Sequence, residues 1–174
     1  LKTGSIGVTK SETDANGNNA KPLRYWKFFL DANNNGVWNN GEKQGSTNSS
    51  GQLNFTGLVA GEYRVCEQLQ SGWMTVVPAN SNCMTVTVTP NETINVLFKN
   101  FHKGSITGYK FHDLNGNGTR EFGEPKIGGW TIYLYKDGSA TPTNTTQTSS
   151  NIWTVGNYQF DNLTPGEYTV CEAN

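Results

Sequence analysis

The chain repeats itself, and the length of the repeat limits what it can fold into. Gly4-Ser5-Ile6 with Lys10 returns as Gly104-Ser105-Ile106 with Lys110, and Trp26 before Lys27-Phe28-Phe29-Leu30 returns as Trp130 before Thr131-Ile132-Tyr133-Leu134. Gly51-Gln52-Leu53-Asn54-Phe55 returns as Gly156-Asn157-Tyr158-Gln159-Phe160, and Gly61-Glu62-Tyr63-Arg64-Val65-Cys66-Glu67 as Gly166-Glu167-Tyr168-Thr169-Val170-Cys171-Glu172. The offset grows from 100 at Gly4 to 105 at Gly61. That is the size of a β-sandwich and far longer than a solenoid unit. The expectation is all-β: tandem β-sandwich domains, a complete one over 1–101 and a second, C-terminally incomplete, over 102–174.

Composition agrees. Apolar residues make up 34% of the chain, but aromatics reach 11%, and Asn (22) and Thr (21) are abundant. This suits strands with wet outer faces and many turns. Strands are expected near 4–10, 24–31, 52–56, 61–69, 73–77, 83–89 and 93–100, then near 104–112, 129–136, 157–161 and 166–172. The join Lys99-Asn100-Phe101-His102-Lys103 is too short for a flexible linker and predicts a stiff rod. A net charge of −1 leaves no basic footprint for nucleic acid, and no apolar run is long enough to span a membrane.

Asn174 corresponds to Leu69, so nothing printed matches residues 70–100 in the second copy. The start at Leu1, without Met, reads as a processed product or an excerpt. Either the second domain continues in further chain, or a neighbouring subunit completes it by strand addition, which would make copies of the chain partners in a head-to-tail fibre.

The segment from Asp113 to Glu124 fits the calcium-loop template Asp-x-Asp/Asn-x-Asp/Asn-Gly-x5-Glu. Oxygens two residues apart converge on one ion, a glycine makes the turn, and the last Glu closes the shell. The candidate ligands are Asp113, Asn115, Asn117, Thr119, Glu121 and Glu124. A second match supplies Asp31, Asn33, Asn35, Val37 (through its carbonyl) and Glu42. A third, Asp14-x-Asn16-x-Asn18, lacks the glycine and the closing Glu. The flanks are aromatic and strand-like, so these are Ca²⁺ clamps on strand connections and not EF-hands, with an affinity of about 10⁻⁴–10⁻³ M. A metal-free Asn/Gly turn is the alternative.

Cys66, Cys83 and Cys171 form no C-x-x-C motif, and two histidines are too few to suggest zinc. An oxidising setting with a Cys66–Cys83 disulfide fits better, leaving Cys171 to a cysteine outside this sequence.

The combination of Gly104-Ser105-Ile106, the Asp113–Glu124 loop, Gly129-Trp130 and Tyr158-x-Phe160-x-x-Leu163-x-Pro165-Gly166-x-Tyr168-x-Val170-x-Glu172 resembles the serine-aspartate-repeat B-type repeats of bacterial surface adhesins, related to collagen-adhesin B-type, prealbumin-like modules. The resemblance implies an Ig-like (prealbumin-like) sandwich of about seven strands, calcium that rigidifies a rod, and a stalk or adhesive role on the cell surface. It departs from that pattern at 14–25, which lacks a full loop, and in the paired cysteines. It also implies a Lys–Asn isopeptide bond assisted by a buried acid, at Lys10, Asn100 and Glu67. The alternative is a surface Lys, a strand-end Glu and a turn Asn.

Sequons at Asn48, Asn54, Asn91, Asn117, Asn144 and Asn162, with the Ser/Thr-rich stretch 139–150, predict glycan partners, although this composition yields several sequons by itself. The 139–150 stretch also reads as a long polar hairpin loop. Catalysis finds no support: His102 and His112 stand alone, with no nucleophile motif nearby. Trp26 and Trp130 are expected in the core, Trp38 and Trp153 on the surface. The first reading is an extracellular structural module of a surface stalk or fibril. The others are an adhesin repeat for a host, matrix or carbohydrate ligand, and a spacer carrying a surface enzyme.

Overall fold

Alternation along each strand sets which side chains turn inward. In the first unit, Leu1–His102, the inward series on the first strand is Ile6, Val8, Lys10; on the last strand it is Val96, Phe98, Asn100. The computed structural model describes residues 2–173, and every element among them is a strand.

The first unit contains β1 (Thr3–Glu12), β2 (Lys21–Pro22), β3 (Lys27–Leu30), β4 (Gln44–Ser46), β5 (Gln52–Val59), β6 (Gly61–Glu67), β7 (Trp73–Val77), β8 (Cys83–Val88) and β9 (Thr93–His102). One sheet runs β2-β1-β9-β7, with β5 also paired to β1; the other runs β4-β3-β6-β8. The β1–β9 pair is parallel, from Ser5↔Thr93 to Glu12↔Asn100. Ile6, Val8 and Phe98 of one sheet meet Phe28 and Val65 of the other in a single core, a sandwich as expected.

The second unit, Lys103–Asn174, contains β10 (Gly104–Tyr109), β11 (Thr131–Lys136), β12 (Asn144–Gln147), β13 (Asn157–Leu163) and β14 (Tyr168–Glu172). The pairings β10·β13 and β12·β11·β14 reproduce β1·β5 and β4·β3·β6. Its core is Ile132, Leu134 and Phe160, with Ile106, Tyr158 and Val170 half-covered. Among the described residues, no strand occupies the edges of β10 and β14 that β9 and β8 fill in the first unit.

Three short strands depart from the sequence reading. β2, β4 and β12 are edge strands of two to four residues, too short and polar to show alternation. In particular, Asn144–Gln147, within the expected polar loop, pairs with β11. Two tryptophans depart as well. Trp130 is 37% exposed: Trp26 is covered by an edge-on contact with Trp73 of β7 at 5.2 Å, and among the described residues of the second unit no strand stands in for β7. Trp38, expected at the surface, is half-buried against Phe29 and the Cys66–Cys83 bridge.

Candidate functional site

Two inward series of the first unit end in ionisable groups. Lys10 closes the one on β1, and Glu67 follows Val65 on β6 at the same parity. With Asn100 of β9 they meet inside the core, each fully buried. Lys10 Nζ donates to Glu67 Oε2 at 2.6 Å, and Asn100 Nδ2 donates to the same oxygen at 3.0 Å. Lys10 Nζ lies 4.6 Å from the centre of the Trp26 ring. Burial pushes the Lys10 amine down to about 8 against the pull of Glu67, and pushes the Glu67 carboxyl up. Both shifts run towards the uncharged forms, which brings a neutral amine facing a carboxylic acid within reach near neutral pH. Glu67 Oε1 and Asn100 Oδ1 are buried without a hydrogen-bond partner.

The backbone around Lys10 is fixed by short contacts. Its N–H donates to the Gly51 carbonyl at 2.7 Å, and its carbonyl accepts from Leu23 N–H. A Cβ on Gly51, whose φ is +72°, would lie 2.4 Å from that carbonyl, so only glycine fits. Thr47 Oγ1 accepts from Trp26 N–H and donates to the Leu23 carbonyl, seating the ring over the lysine.

The second unit rebuilds most of this. Lys110 N–H donates to Gly156, and Thr148 Oγ1 joins Trp130 N–H to the Ile127 carbonyl. Lys110 Nζ pairs with Glu172 Oε2 and lies 5.1 Å from the Trp130 ring centre. Here the pair is open, with Lys110 25% and Glu172 47% exposed. The sequence reading missed this pair, although the Lys10/Lys110 and Glu67/Glu172 matches carried the signal.

The two full loops stand at different connections. The 31–42 loop joins β3 to β4; the 113–124 loop follows β10, the place the incomplete 14–25 segment holds after β1. In 113–124, Asp113 Oδ1 accepts from Gly116 and Asn117 N–H and Oδ2 from Gly118 N–H, which holds its carboxyl below the usual range. Glu124 accepts from Leu114 and Glu121 N–H across the loop, and Glu121 from the Asn115 and Asn117 amides. Asn117 Oδ1 accepts from Thr119 N–H. The donor set is all oxygen, with three carboxylates, and suits a hard divalent cation.

In 31–42, Asp31 is buried and accepts from Asn35 and Gly36 N–H. Glu42 accepts from Ala32 and Asn39 N–H, Asn33 Oδ1 from Asn35 N–H, and Asn35 Oδ1 from Val37 N–H. Here a basic side chain takes part: Arg64 Nη1 donates to Asp31 Oδ2 at 2.5 Å. Cys66 and Cys83 form a disulfide, S–S 2.04 Å, so the Asp31–Cys66–Cys83 cluster offers no thiolate to a metal. Cys171 is free and exposed.

Residues 4–102 match the family model described as the prealbumin-like fold domain, and 104–174 that of the SdrD B-like domain. The chain belongs to the prealbumin-like family. Colossin-A of Dictyostelium discoideum is 32% identical over 142 residues, which is 74% of this chain and 1% of that protein. Serine-aspartate repeat-containing protein F of Staphylococcus epidermidis is 32% identical over 136 residues, 72% of this chain and 8% of that protein. The chain thus spans a small part of these relatives. A streptococcal ancillary pilin superposes with a TM-score of 0.50 at 14% identity, covering 100% of this chain and 54% of that one, a likeness of fold alone. This prealbumin-like chain is placed at the cell surface by its family matches and its serine-aspartate-repeat relatives, and no helix among the described residues is long and apolar enough to cross a membrane. All six sequon asparagines are exposed.

Proposed function

We propose that the chain is an extracellular structural module of a surface stalk or fibril, without catalysis on other molecules, whose first unit locks itself covalently. The observation that supports it best is the sealed Lys10–Glu67–Asn100 cluster joining β1, β6 and β9. The neutral Lys10 amine attacks the Asn100 side-chain carbonyl carbon. A C–N bond forms, and Glu67, whose Oε2 touches both Lys10 Nζ and Asn100 Nδ2, passes a proton from the attacking amine to the departing nitrogen; the old C–N bond breaks and ammonia leaves. Intact-mass measurement of the unreduced chain tests this. The expected mass is lower than the disulfide-bonded sequence by one ammonia, and an unshifted mass defeats the cross-link.

Ca²⁺ bound by Asp113, Asn115, Asn117, Thr119, Glu121 and Glu124 would neutralise three clustered carboxylates and stiffen the β10–β11 connection. Glycans on the exposed sequons and head-to-tail association of copies of the chain complete the reading, with the edges of β10 and β14 taken either by further chain or by a neighbouring copy. A second reading, an adhesin repeat for a host, matrix or carbohydrate ligand, draws on Ile152 and Trp153, 79% and 87% exposed on one turn.

A further inference from the structure

The 31–42 and 113–124 loops share a template but differ in what holds them. Every side-chain hydrogen bond found within 113–124 stays inside that segment. Its carboxylates are Asp113, Glu121 and Glu124, and among the described residues no Lys or Arg side chain pairs with any of them. The 31–42 loop has two carboxylates, with Asn39 at the place of Glu121. It is also tied outward. Arg64 Nη1 donates to Asp31 Oδ2 at 2.5 Å, and Arg64's own carbonyl accepts from Asp31 N–H at 2.9 Å. Asn82 Nδ2 donates to the Gly36 carbonyl at 3.1 Å. The 14–25 segment is held similarly, with Lys99 Nζ donating to the Gly17 carbonyl at 2.9 Å.

We infer that Arg64 supplies the positive charge at the 31–42 loop that a divalent ion would supply, so this loop is closed by the protein itself and takes no calcium. The fixed guanidinium already neutralises a carboxylate that is 4% exposed. An incoming dication would meet that charge within a few ångströms and would have to displace it from a buried carboxylate oxygen that it already holds. The residues therefore do not fit the ion at Asp31, although the sequence template is complete. The inference narrows the cation reading above to 113–124 without depending on it.

Hydrogen exchange of the full chain, read peptide by peptide in millimolar CaCl₂ and in excess EDTA, tests this in the wild type and in Arg64→Gln. In the wild type, 31–42 is expected to exchange equally in both solutions; slower exchange there in calcium overturns the proposal. In Arg64→Gln, 31–42 is expected to exchange faster in EDTA by about tenfold to a hundredfold, the worth of a charge-assisted hydrogen bond. An unchanged rate overturns it. The wild-type comparison stands alone should the variant fold poorly. The 113–124 peptides report separately on the cation proposed there, so the failure of one reading is not mistaken for failure of the other.

Discussion

Lys110 and Glu172 form, beside the ring of Trp130, the same pair that Lys10 and Glu67 form beside Trp26, but with solvent on one side. One arrangement in two environments lets burial be separated from contact. Replacing Glu67 by Ala leaves Lys10 unpaired in the core and is expected to cost about 3–5 kcal/mol and to prevent loss of ammonia. Glu172→Ala is expected to cost at most about 1 kcal/mol, since water screens an exposed pair. Urea unfolding followed by hydrogen exchange, with intact mass, reads both.

The disulfide ties cross-strand partners Cys66 and Cys83 of β6 and β8, 17 residues apart. Reduction is expected to lower the stability of the first unit by about 3 kcal/mol in the chain-entropy account. The second unit, which has no disulfide among the described residues, should not respond. Melting with and without reductant, followed by exchange in 61–88 and in 157–172, checks this.

The cores give a paired prediction. Phe55 and Phe160 are repeat-equivalent and each is 2% exposed. Truncation to Ala is expected to cost about 3–5 kcal/mol at either site. In the second unit, where the buried cluster is Ile132, Leu134 and Phe160, the loss should abolish protection of β13. In the first unit the larger core should leave a folded, weakened domain.

Acid should destabilise the chain. For Asp31, burial alone would raise the carboxyl, but the N–H groups of Gly36 and Asn35 and the Arg64 guanidinium outweigh it; for Asp113, the Gly118 N–H leads. Both lie below the ordinary 3.8, so as pH falls through that range the unfolded chain takes up protons first. Their contribution is complete at neutral pH and is lost on acidification below about pH 4. Denaturation midpoints from about pH 7 down to 2 should show this, with a shallower fall in Asp31→Asn.

The repeat made the sandwich legible because Ile6-Val8-Lys10 and Tyr63-Val65-Glu67 keep strand parity through their polar members. The same parity, followed past the apolar residues, explains why Lys10 and Glu67 face each other. Arg64 was not legible as a loop partner of Asp31, for the two are 33 residues apart and meet only when β6 lies beside β3. Nor was the exposure of Trp130, which depends on strands that have no counterpart in the described second unit. Edge strands such as Asn144–Gln147 carry no apolar alternation, so only the pairing with β11 defines them.

The parallel alignment of β1 with β9 has a mechanical consequence. The polypeptide enters the first unit at one end of β1 and leaves from the opposite end of β9, along a ladder running from Ser5↔Thr93 to Glu12↔Asn100. Tension on the two ends slides these neighbours lengthwise, so the rungs resist together and cannot be peeled apart one by one. A domain threaded this way is strongest along the very axis on which a tether is pulled.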